Sequence, residues 1–165
     1  MRERAEYQEV WRLIKGEHAA LLVTRGDDGS LDSRPMGCLQ ETFEGTLWFA
    51  TFKSSLKLQE IEANPQVLVS YARPSNHEYV SITGRARVVD DPDKIKKYWR
   101  EALRVWFPKG AEDPDLILIA VDAEGAKYWI KGASLFQYAW TYIKTRLTGT
   151  QPSPAEVGTV KNVRF

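Results

Sequence analysis

Cysteine is almost absent: Cys38 is the only one in 165 residues, which excludes an intrachain disulfide and a zinc site built from thiolates. Histidine is scarce as well. His18 and His77 stand far apart with no ligand spacing around either, so the sequence offers no metal centre. Nor is there an excess of charge of one sign. Lysine and arginine number 23 against 22 acidic residues, a net charge of +1, which gives no global reason to bind nucleic acid or an anionic membrane. Any basic site has to be local. No uninterrupted apolar run approaches the roughly 18 residues of a membrane span, and the opening Met-Arg-Glu-Arg-Ala-Glu has no apolar signal region. The expectation is a cytoplasmic protein with no membrane and no nucleic-acid partner. Hydrolase motifs and paired general acids and bases are missing too, so the chemistry has to come from a cofactor.

What is present is a series of short β-favouring runs broken by turn residues, in a chain of single-domain length. An amphipathic helix over 4–15, with Ala5, Val10, Trp11 and Ile14 along one face, ends at Gly16. Strands are predicted at 18–25, 31–42, 45–52, 66–73 and 79–89, with Gly84 a bulge or a point of close approach. A helix begins at Asp91-Pro92-Asp93 and carries Ile95, Tyr98, Trp99, Ala102, Leu103 and Trp106 on one face until Pro108 stops it. Lys97, Arg100 and Arg104 form a basic stripe on it that reads as a solvated face. A last strand pair is expected at 116–121 and 126–130, and a closing helix at 133–147. Residues 1–150 then form the domain and 151–165 an extended tail of it. Antiparallel strands in this number hide their edges by closure, so the fold class is mainly β (α+β), a small β-barrel with flanking helices.

Two stretches carry chemistry. From Leu47 to Pro65 an aromatic strand passes through a hydroxyl and lysine knot, Thr51 to Lys57, into a helix with apolar residues at 56, 58 and 61. The first N–H groups of a helix lack partners, Ser54 or Ser55 can cap them, and Lys57 adds a positive charge, so the corner suits a phosphate. In the second strand, Arg34-Pro35-Met36 puts a proline where it cannot donate to a ladder. That strand belongs at an edge or split, where its backbone can face a planar ring and Arg34 can reach an anionic group. On adjacent strands of a meander the two would form one flavin mononucleotide site.

These motifs, with Asn64-Pro65 and Gly84-Arg85-Ala86, resemble the FMN-binding split barrel of pyridoxamine 5'-phosphate oxidase. The length, Tyr128-Trp129 and Leu147-Thr148-Gly149 are more similar to its general stress protein 26 branch. The resemblance implies a homodimer with flavin in clefts at the subunit interface. It places Thr51, Ser55 and Lys57 on the FMN phosphate and Arg34, Pro35 and Met36 along the ring. It also puts Tyr79 where the oxidase has a ring-contacting glutamine, and Trp129 at the cleft from the partner subunit. Leu56 stands where the oxidase has a phosphate-gripping arginine, a departure that weakens FMN binding or leaves room for a longer flavin such as FAD. The oxidase also has a C-terminal arginine-x-histidine segment for its substrate phosphate, whereas this chain ends Lys161-Asn162-Val163-Arg164-Phe165. The reading is a flavin-dependent oxidoreductase with a stress-related role and an unknown small-molecule electron donor or acceptor, not a true pyridoxamine phosphate oxidase. The alternatives are a non-catalytic flavin-sequestering protein and a split barrel that has lost flavin.

Overall fold

Among the described residues the strands form one seven-stranded antiparallel sheet, and three helices flank it. The computed structural model describes residues 2–17, 19–130 and 159–165. His18, Lys131, the expected closing helix and Leu147-Thr148-Gly149 lie outside the described residues. Helix α1 (Arg2–Ile14) is followed by strands β1 (Ala20–Arg25), β2 (Leu31–Met36) and β3 (Thr46–Phe52). Helix α2 (Leu56–Ala63), β4 (Gln66–Arg73), β5 (Glu78–Val89) and α3 (Pro92–Tyr98) come next, then β6 (Leu116–Ile130) and β7 (Thr159–Arg164). Among the described residues no helix is long and apolar enough to cross a membrane.

The sheet runs β2-β1-β4-β5-β6-β3, with β7 added to β6. It curls into a half-barrel around Leu22, Phe49, Val69, Ile82 and Ile119, and α1 closes this core with Val10, Leu13 and Ile14. Gly16, at φ 85°, ends α1 in a left-handed conformation that suits glycine. The run Leu116 to Val121 is buried on both faces. Ile117, Ile119 and Val121 point to the barrel core, while Leu116, Leu118 and Ala120 join a second cluster with Trp48, Ile95 and Phe107. A strand covered on both sides reads as a continuous apolar run.

Four expectations are corrected. The predicted strand pair at 116–121 and 126–130 is the single strand β6, because Asp122-Ala123-Glu124-Gly125 forms a bulge and not a reversal. Thr83 pairs with Gly125 and Gly84 with Ala123, which leaves Glu124 unpaired with β5. The bulge lets one strand serve two partners, β3 along 116–122 and β7 along 125–130. Second, β2 stops at Met36, short of 42, and the chain rejoins β3 only through an isolated Cys38–Phe49 bridge. Third, the helix expected from 91 to 106 ends at Tyr98. Trp99 and Arg100 are extended, and a 3-10 turn follows over Glu101–Val105. Tyr98 stacks on Trp48, with centroids 4.5 Å apart, while the Trp99 ring lies near the Arg104 guanidinium at 5.8 Å. These two β-favouring aromatics take separate partners, which a continuous helix face would not provide. Fourth, β2 and β3 are not neighbours in a meander; they are the two ends of the path, brought together by the curl.

At Gly84 an added Cβ would stand 2.4 Å from the Asp122 carbonyl oxygen and 3.1 Å from Ala123 Cα. Both neighbours are backbone and cannot turn aside. Gly84→Ala is therefore expected to cost about 1–3 kcal/mol, as overpacking does. A urea midpoint unchanged from that of the parent chain would show that the bulge yields.

Candidate functional site

The last backbone links between the two sheet ends are the Cys38–Phe49 bridge and a 2.9 Å bond from Leu39 N–H to the Trp48 carbonyl. Past them the edges part and a cavity of about 440 Å³ opens. Ala19, Pro35, Met36 and Gly37 line it from the β2 side, and Ala50, Thr51 and Phe52 from β3. Lys57 enters from α2, and Leu103, Trp106 and Phe107 form an apolar wall from the 3-10 turn and the residues after it. A concave, mainly apolar space with a few convergent polar groups is the usual form of a small-molecule site.

Lys57 is the cation of this cavity. Its ammonium donates to the Thr51 hydroxyl at 2.9 Å and to the Ser55 hydroxyl at 2.5 Å. Among the described residues no carboxylate lies within ion-pair distance of it. Burial holds its pKa below the ordinary lysine value, the positive charge of Arg34 lowers it further, and Glu60 works the other way. A cation whose hydrogen-bond partners are neutral hydroxyls has its charge available to an anion. Ser55 is the N-cap residue of α2, but its side chain makes no cap hydrogen bond, since the hydroxyl is turned to Lys57.

Arg34 does not line the cavity. It lies behind Lys57, in a network that reaches from β2 to α2. Its guanidinium donates to the Thr24 hydroxyl, to Asp32 at 2.6 Å and to Glu60 at 3.0 Å. Thr24 in turn donates to Glu60 at 2.5 Å. Thr24 is buried, and the Arg34 and Glu60 side chains are only 18% and 13% exposed. The pair is held largely away from water, where a charge left without its partner is expensive.

The structure therefore gathers Pro35, Met36, Thr51 and Lys57 at the cavity, with Ser55 and Arg34 immediately beside it. Ser54 is exposed and outside the lining. Tyr79 and Trp129 are elsewhere: they pair across β5 and β6 on the outer face of the sheet, 42% and 38% exposed. Trp129 borders a second, open cavity of about 860 Å³ with Lys127, Ser81, Thr83 and the C-terminal residues Asn162 to Phe165. Cys38 is a free thiol packed at the bridge, where burial pushes its pKa up and the Tyr71 hydroxyl donates to it at 3.4 Å. The basic stripe is engaged by its surroundings, Lys97 near the Tyr98 ring, Arg100 with Glu41 and Arg104 with Glu101.

Sequence reasoning missed Glu60 and Thr24, and it assigned Leu103 and Trp106 to the apolar face of a helix. Trp106 is 57% exposed at the cavity mouth. A partial signal was available, since Glu60 lies one helical turn after Lys57, on the α2 face that meets the corner.

The family model for pyridoxamine 5'-phosphate oxidase-like proteins matches residues 5–153. General stress protein 26 of Bacillus subtilis is 32% identical over 82 residues, which are 48% of this chain and 58% of that protein. The match thus spans less than two thirds of the length of that relative. The general stress FMN/FAD binding protein of Xanthomonas citri superposes with a TM-score of 0.69 at 25% identity, covering 80% of this chain and 93% of that one. A general stress protein 26 structure from Jannaschia sp. CCS1 covers 100% of both chains with a TM-score of 0.71 at 22% identity. These likenesses give the sheet its place among the split barrels.

Removing Arg34 would leave Glu60 charged, shielded and held only by Thr24. Arg34→Ala is expected to cost about 2–3 kcal/mol, and Glu60→Gln added to it should recover part of that loss. Urea denaturation of the single and double variants checks this; equal loss in both would show that the charge on Glu60 needs no partner.

Proposed function

The chain belongs to the pyridoxamine 5'-phosphate oxidase-like family, and on that premise we propose that it binds a flavin phosphate ester at the β2–β3 split and acts as a flavin-dependent oxidoreductase with a stress-related role. The single observation that carries the reading is Lys57: a partly shielded ammonium in a cavity, bonded to neutral hydroxyls and backed by Arg34. The donor set fits the group. Lys57, Thr51 and Ser55 would hold the phosphate, and the β2 backbone at Pro35 and Met36 would lie along the ring. When bound, the flavin supplies the hydride or electron transfer that these side chains cannot perform themselves. The apolar wall of Leu103, Trp106 and Phe107 would lower the local polarity around a bound ring and so strengthen the electrostatic hold of Lys57 on its phosphate.

The reading includes a homodimer. The outer face of the sheet supports it, because Leu21, Tyr79 and Trp129 are large apolar groups exposed there. Across β2, β1, β4, β5, β6 and β7 the register sets Pro35, Leu21, Ser70, Ser81, Lys127 and Asn162 in one row, with a single charge. A partner packed on this face would bury Trp129, and with it the cavity that Trp129 borders. If each flavin requires both subunits, flavin raises the melting temperature by an amount that depends on protein concentration. A monomer in sedimentation that still holds flavin at full affinity would refute the shared site.

Pyridoxamine 5'-phosphate is not the expected substrate. Its phosphate needs a second anion site beside the flavin, and among the described residues lining the cavity Lys57 is the only basic one. Under air with saturating flavin, no aldehyde product should form from pyridoxamine or pyridoxine 5'-phosphate. A turnover on the order of 1 s⁻¹ or above would restore the oxidase reading.

The phosphate assignment itself is tested by Lys57→Ala. Loss of one charge-assisted contact is expected to weaken a flavin phosphate ester about tenfold to a hundredfold and to leave riboflavin unchanged. Unchanged affinity for the ester in the variant would place the phosphate elsewhere. Steady oxidation of reduced nicotinamide or reduction of a dye by the loaded protein supports the oxidoreductase; tight flavin binding with no turnover by any donor would leave a sequestering protein.

A further inference from the structure

Another cavity, of about 510 Å³, lies between the chain that leads into β3 and the end of α3. Gln40, Glu41, Thr42 and Glu44 line one side, Thr46 and Trp48 continue it from β3, and Lys97, Tyr98 and Arg100 form the other. It shares no residue with the cavity at the split. The contact that ends α3 also shapes this space. Tyr98 stacks on Trp48, the chain then runs extended through Trp99 and Arg100, and Arg100 reaches Glu41 at 3.4 Å across the gap.

Three groups here are left with something to offer. Gln40 is 9% exposed, and its Oε1 accepts the Trp48 N–H at 3.0 Å, but its Nε2 is buried with no partner among the described residues. Buried polar side chains nearly always find a partner, so such an orphan donor marks a place for an acceptor. Lys97 lies near the Tyr98 ring at 5.2 Å but pairs with no carboxylate among the described residues, and Glu44 pairs with no cation among them. Arg100 and Glu41 answer each other. The cavity therefore presents a spare donor, a spare positive charge and a spare negative charge, while its charged side chains, Glu41, Glu44, Lys97 and Arg100, cancel.

That balance decides the ligand. A phosphate or a dicarboxylate would suit Lys97 and Gln40 but would set further negative charge against Glu44, and a polyamine would do the reverse at Lys97. A molecule with one carboxylate and one ammonium meets all three groups. We propose that this cavity binds a zwitterion of the amino-acid class, its carboxylate between Lys97 and the Gln40 amide, its ammonium on Glu44, and an apolar side chain against the Tyr98 ring. The site stands apart from the flavin reading and does not depend on it. Lys97 and Glu44 are exposed, where ion pairs are weak, so a dissociation constant of about 1 mM is expected.

NMR titration of the full chain with L-phenylalanine, phenylalanine amide and N-acetylphenylalanine tests it, read at Gln40, Trp48 and Tyr98. The amide lacks the carboxylate charge and the N-acetyl compound lacks the ammonium, so each should bind about tenfold more weakly than the free amino acid. Lys97→Ala should abolish the preference over the amide, and Glu44→Gln the preference over the N-acetyl compound, because each variant deletes the group that reads that charge. Both positions are exposed, so both variants should fold and bind flavin as the parent does. Gln40→Met keeps a weak acceptor for the Trp48 N–H and removes the donor; it should weaken phenylalanine about tenfold, and if it does not fold, the two exposed variants carry the test. No shift with phenylalanine at about 10 mM, equal binding of the three compounds, or preferences that survive in both exposed variants would overturn the proposal and leave the flavin reading untouched.

Discussion

A sheet whose two end strands meet without pairing is the constraint on which the site depends. β2 carries Pro35 and gives way to Gly37, so it can serve as a terminal strand but cannot extend a ladder to β3. The curl imposed by the core brings the ends together, and the Cys38–Phe49 bridge fixes them at one level. An open sheet would leave both edges to water, and a closed barrel would leave no space between them. The intermediate solution gives a slot with rigid walls, into which α2 delivers Lys57.

The slot is cationic, but only modestly so. Arg34 is committed to Glu60, Thr24 and Asp32, which sets the geometry of the β2 end and leaves Lys57 as the group with charge to offer. Because Glu60 and Lys57 belong to the same short helix, any shift of α2 moves the cation and its counter-charge together. The outer face of the sheet is a separate region, with Tyr79 and Trp129 opposed across β5 and β6. The distance in role between these two regions is the reason the sequence-level site divides into two groups.

Much of this was legible in the residues. Thr51, Ser55 and Lys57 occur within seven positions at a strand-to-helix corner, and local sequence determines local geometry there. Pro35 marked an end strand for a reason that needs no tertiary information. Gly84 marked the close approach that the Asp122 carbonyl imposes. What failed did so where long-range pairing overrides local pattern. Asp122-Ala123-Glu124-Gly125 has the composition of a turn, and only the presence of β3 and β7 on one strand makes it a bulge. The break after Tyr98 depends on Trp48, fifty positions earlier, taking the ring. The partnership of Arg34 with Glu60 likewise joins two elements whose juxtaposition exists only after the sheet has curled.

Two electrostatic facts then decide how the corner works. Partial burial lowers the pKa of Lys57, and Arg34 adds to that effect, so an arriving anion relieves repulsion between two cations as well as making its own bonds. The most direct measurement is the position of flavin in crystals grown with it. Its phosphate is expected within about 3 Å of Lys57 Nζ and Thr51 Oγ1, with the ring against Pro35 and Met36. Flavin seated instead against Trp129 and the C-terminal strand, with its phosphate away from Lys57, would contradict the assignment of the split as the functional site.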